Sequence, residues 1–67
     1  MDLDKLVGRT ADIIYQAKDG KFTKRMIRIE RIDGRLIRAY CYTAKGPRVF
    51  LIDNILAALP VMKRRVG

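Results

Sequence analysis

The stretch Gly34 to Ile55, GRLIRAYCYTAKGPRVFLIDNI, decides how the chain reads, because its first half alternates with a period of two. Successive side chains of a strand point to opposite faces. Leu36, Arg38, Tyr40 and Tyr42 therefore line one face, and Ile37, Ala39 and Cys41 line the other. The second face is a core face. The first combines cationic and aromatic groups, which together can hold an anionic, planar ligand by charge attraction and stacking.

Turn signals bracket this strand on both sides. Asp33-Gly34 precedes it, and Ala44-Lys45-Gly46-Pro47 turns the chain from the strand Arg35 to Thr43 into a fourth strand, Arg48 to Ile52. Upstream, Asp19-Gly20 joins a first strand, Ala11 to Gln16, to a long second one, Phe22 to Ile32. The alternation of that second strand is imperfect: Ile27 and Ile29 share a face with Thr23, Arg25 and Arg31, and Met26 shares the other with Phe22, Lys24, Arg28 and Glu30. At the start, Asp2 and Asp4 ahead of Leu3, Leu6 and Val7, with Gly8 as a stop, predict a short helix over about residues 2–7. Beyond the fourth strand, Asp53 can cap one helical turn through Asn54 to Ala57, and Leu59 to Met62 reads as a last strand, with Pro60 tolerable at an edge. The tail 63–67 is expected to fray. The fold class is mainly β: a small five-stranded barrel of the SH3 or Sm type with a short N-terminal helix, in which closure removes the sheet edges.

Length and composition bound the function. At 67 residues the chain has room for one domain, and a domain of this size buries only roughly 60% of its unfolded surface. The single cysteine, Cys41, has neither a second cysteine for a disulfide nor a histidine for a zinc site. It sits on the core face, where a free cysteine acts as a small hydrophobe. No apolar run approaches a membrane span, and MDLDKLVG does not resemble a signal peptide, so the expected compartment is the cytoplasm. Fifteen Lys and Arg against seven acids give a net charge of +8, a field that favours polyanions and anionic ligands, phosphate-bearing ones first. The same charge also suits a solvated surface that defends strand edges.

The order of features from Ile13 to Ile55 resembles the WYL domain, an Sm-like β-barrel found in bacterial transcriptional regulators and some phage-defence regulators. The similar residues are Ile14-Tyr15, Asp19-Gly20, Arg25-Met26-Ile27, Asp33-Gly34, Ala39-Tyr40-Cys41 and then Arg48, Phe50, Asp53 and Ile55, roughly two thirds of the chain. Arg35-Leu36-Ile37 stands where the name-giving Trp-Tyr-Leu falls, and Asn54 replaces the second Arg of the later pattern. The resemblance implies a ligand-sensing or regulatory module, free-standing here because no helix-turn-helix is encoded, and it carries Arg48 over as a ligand contact.

With no histidine, no paired acids and no glycine-rich phosphate loop, the chain reads as non-enzymatic, with no cofactor and no metal site. The expected function is binding of a nucleotide or single-stranded nucleic acid through Arg48, Arg38, Tyr40 and Tyr42, with Lys24 and Arg28 extending a phosphate track along the second strand. If the third and fourth strands pair antiparallel, Arg48 and Phe50 would stand beside this platform, although Phe50 itself reads first as a core residue. Each residue also has an ordinary reading: Arg48 as a surface group paired with Asp33 or Asp53, the tyrosines as cross-strand packing beneath Arg stems, Lys24 and Arg28 as a solvated face. The alternative function is a barrel that binds a protein partner, or its own copy, through its Arg and Tyr face and a strand edge.

Overall fold

The computed structural model describes residues 3–61. Five strands form one antiparallel sheet: β1 (Thr10–Gln16), β2 (Phe22–Asp33), β3 (Leu36–Cys41), β4 (Gly46–Leu51) and β5 (Ile55–Pro60), in the order β4-β3-β2-β1-β5. The first four strands are a meander whose short loops leave consecutive strands as neighbours. Gly20 and Gly34 take positive φ, as both Asp-Gly turns require. In the turn before β4 the left-handed residue is Lys45, at φ 58°, so Gly46 is free to open the strand.

Three expectations are corrected. The N-terminal helix is a single 3-10 turn, Leu3–Leu6, because Gly8 stops it almost at once and its amide donates instead to the Ile29 carbonyl. The turn after β4 is a 3-10 turn at Ile52–Asn54, with Asp53 inside it and no side chain capping it. The last strand begins at Ile55, not Leu59, since so short a turn returns the chain to the sheet at once. Pro60 lies at the end of β5, an edge strand, where its missing N–H breaks no inner ladder. Met62 and the tail 63–67 lie outside the described residues.

Among the described residues no second layer covers the sheet, which buries its own face by curling. Flat, β1 and β4 would lie three strand spacings apart, roughly 14 Å. Yet the rings of Tyr15 on β1 and Phe50 on β4 meet edge to face at 5.0 Å. The Leu51 amide donates to the Tyr15 hydroxyl at 3.4 Å, a long bond across the same gap. Inside the curl lie Ala11, Ile13, Ile27, Ile29, Ile37, Ala39, Cys41, Phe50 and Ile55, and Leu3 and Leu6 of the N-terminal turn complete this core. The Arg25 guanidinium lies 6.0 Å from the Phe50 ring centre. No ladder joins β4 to β5 among the described residues, so the hydrogen-bonded ring of a closed barrel is not formed.

A bulge between Ile29 and Arg31 explains part of the imperfect alternation of β2, while Thr23 and Arg25 stay on the face of Ile27, opposite Tyr15 and Ile13. The extra residue, Glu30, shifts the parity, so Ile32 joins the face of Ile37 while Arg31 stands opposite Arg38 on the outer face. Arg31 therefore does not share the face of Ile27 and Ile29. The bend it brings also supplies part of the curl.

The Tyr15–Phe50 contact gives a stability prediction. Phe50→Ala should cost about 3–5 kcal/mol in urea unfolding, whereas Tyr15→Phe, losing only a long hydrogen bond, should cost below about 1 kcal/mol.

Candidate nucleic-acid interface

Directly opposed residues of an antiparallel ladder share a face. Tyr40 stands opposite Arg28 of β2 on one side and Pro47 of β4 on the other. Arg28 in turn stands opposite Thr10 of β1. The outer face therefore runs from Thr10 through Arg28 to Tyr40, with Lys24 further along β2 and Arg38 further along β3. Tyr42 follows directly after β3 and is held by its amide, which donates to the Met26 carbonyl at 2.9 Å. The two tyrosines make a T-shaped pair, 5.2 Å between centres. Five of the six predicted contact residues, Lys24, Arg28, Arg38, Tyr40 and Tyr42, thus lie on one face.

Arg48 is the exception. Its cross-strand partner is Ala39 and that of Phe50 is Ile37, both core-facing, so antiparallel pairing puts Arg48 and Phe50 on the face opposite Arg38 and Tyr40. Phe50 is buried. Arg48 remains exposed, and its guanidinium Nη1 donates to the Pro47 carbonyl at 2.8 Å. Its side chain still reaches one outer groove, of about 330 Å³, which Arg38, Glu30 and Val49 also line.

Acids temper the charge of this face. Asp33 accepts from Arg31 at 3.0 Å and from Arg38 at 3.1 Å. The hydrogen bond from Arg38, then the charge and hydrogen bond of Arg31, hold the Asp33 carboxyl below its ordinary value of 3.8. Asp12 also faces outward, opposite Met26, and Glu30 sits at the bulge. Lys24 and Arg28 have no carboxylate partner among the described residues, so their charge is fully available. The sequence offered no signal for the pairing of Arg31 and Arg38 through Asp33, because the bulge that brings Arg31 to this face is a property of the ladder.

Among the described residues no three His, Cys, Asp or Glu side chains converge as a metal site, and no helix is long and apolar enough to cross a membrane. Cys41 is buried, and its sulfur accepts from the Ala44 amide at 3.4 Å. No family model, curated protein or solved structure matches the chain.

The depressed Asp33 value has a definite sign. Its ionised form is favoured by folding, so the stability it lends is present above the ordinary carboxyl value and is lost as pH falls through the lower folded one. Asp33→Asn should remove this part of the acid sensitivity, seen as a shallower fall in thermal midpoint as pH drops below the ordinary carboxyl value.

Proposed function

We propose that the protein is a non-enzymatic binding module for single-stranded nucleic acid or its nucleotides, and that the outer face of β2 and β3 is its contact surface. The observation that carries this reading is the placement of unpaired Arg28 directly beside Tyr40, itself paired with Tyr42. Stacked bases need aromatic faces and the flanking phosphates need cations, and here both arise on neighbouring strands of one rigid sheet. Lys24 extends the cationic line along β2, and Arg38 and Arg48 border the groove beside β4. The net charge of +8 draws polyanions to the molecule as a whole.

The strand order, with a 3-10 turn leading into the last strand, supports reading the curled sheet as a partly open barrel of the SH3 or Sm type. That reading is in keeping with a regulatory module of the WYL kind acting in the cytoplasm. A regulatory output requires a ligand that binds one conformation or assembly better than another, which makes a partner protein or a second copy part of the proposal.

A protein-binding function is the second reading, favoured by one observation. Among the described residues no further strand pairs with either edge strand, and both carry exposed apolar side chains: Val49 and Leu51 on β4, Leu56 and Leu59 on β5. An extended segment could add to either edge through backbone hydrogen bonds. Capture of a partner that survives nuclease treatment would favour this reading over the first.

The leading reading is tested by fluorescence polarisation with labelled single-stranded oligonucleotides at several salt concentrations. Affinity should fall steeply with salt, Arg28→Ala should reduce the log–log salt slope by about one, and Tyr40→Ala should weaken binding by about 1–3 kcal/mol. Asp33→Asn should tighten binding, because it frees Arg31 and Arg38. No binding at low salt would remove the reading.

A further inference from the structure

A cavity of about 540 Å³ opens beside this face, lined by Arg9, Thr10, Met26, Tyr42 and Val61. Its volume falls within the roughly 300–1,000 Å³ of small-ligand sites. None of Arg9, Thr10, Met26 and Val61 is among the ligand contacts expected from the sequence. The ladder builds the cavity: Thr10 is the first residue of β1, Met26 lies near the middle of β2, and Tyr42 follows β3 with its amide bound to the Met26 carbonyl. Val61 adds a further wall, its amide donating to the Thr10 carbonyl at 2.9 Å. Backbone bonds therefore hold the walls before any ligand arrives.

The chemistry of the walls is specific. Tyr42 and Met26 offer an aromatic ring and a polarisable thioether, and they stay 42% and 39% exposed although a closed core lies beneath the same sheet. The T-shaped contact with Tyr40 occupies at most one face of the Tyr42 ring, so the other is available for stacking. Thr10 adds a hydroxyl that can both donate and accept. Cations stand on either side: Arg9 lines the cavity, and Arg28 lies opposite Thr10 on the way to Tyr40. Neither has an acidic partner among the described residues. Asp12, opposite Met26, is the acid that faces this side. A carboxylate there disfavours a phosphate inside the cavity, while the arginines favour phosphates at its margins.

We infer that this cavity receives one unstacked nucleobase of a single-stranded nucleic acid, with the phosphates on either side of that base held by Arg9 and Arg28. Unstacked bases are the part of a single strand that an aromatic wall and a nearby hydroxyl can bind. The site is the base-reading part of the proposed contact face and rests on that reading. The tyrosine pair supplies stacking for a neighbouring base, and the open pocket beside it adds a place for a single one.

Two matched single-stranded oligonucleotides test it, one with bases throughout and one with the same sugar-phosphate backbone but abasic, each competed against a fluorescent oligonucleotide at low salt. The base-containing strand should bind the wild-type chain at least about fivefold more tightly, the lower end of what one stacked base contributes. Thr10→Ile keeps a β-branched residue on the strand but removes the hydroxyl and narrows the cavity. It should weaken binding of the base-containing strand and leave the abasic strand unchanged, with circular dichroism confirming the fold. Equal affinity of the two strands for the wild type, or an unchanged preference in Thr10→Ile, would overturn the base site while the phosphate-binding face stood. Failure of both strands to bind would overturn the face and the cavity together.

Discussion

The contact between Tyr15 and Phe50 is the constraint on which the rest of this molecule depends. Among the described residues the five strands form one sheet with one apolar face, and only the short Leu3–Leu6 turn lies against it from outside the sheet. The sheet answers by curling until its first and fourth strands face each other across a core of isoleucines. Twist alone does not bring them so close, and the bulge at Glu30 in the longest strand adds bend where β2 passes from one side of the curl to the other. The Leu3–Leu6 turn then completes the core beside the strands.

Curling sorts the side chains of each strand into inside and outside, and this sorting makes the outer face. Because Ile37, Ala39 and Cys41 are committed to the interior, Arg38, Tyr40 and Tyr42 have to stand outside, and Arg28 is carried beside Tyr40 by the pairing of β2 with β3. The same rule sends Arg48 the other way, since it pairs with Ala39. The cation that the family resemblance singles out is therefore less central than Arg28, which earned notice in the sequence only as part of a track. Asp33 shows the opposite effect: its single carboxylate holds both Arg31 and Arg38 and offsets one of their two charges locally.

Much of the strand layout was legible because it is local. Asp-Gly at two places demanded positive φ, the alternation in Leu36 to Tyr42 demanded a half-buried strand, and Pro60 demanded an edge. The errors fall where local signals were ambiguous. Within the expected helical turn Asn54 to Ala57, Ile55, Leu56 and Ala57 lack alternation and include good helix formers, but pairing with β1 draws them into the sheet. The acids at the start suggest a helix over about residues 2–7, but Gly8 leaves room for only a 3-10 turn at Leu3–Leu6.

By itself the sequence determined the number of strands, the turns between them, the two faces of β3 and the positive charge, because each follows from residue type and period along the chain. The tertiary structure alone decided the curl, the parity change at Glu30, the face on which Arg48 stands and the cavity of Arg9, Thr10, Met26, Tyr42 and Val61. These depend on which residues oppose each other across strands, and register is set by burial of the whole face at once, which no local stretch encodes.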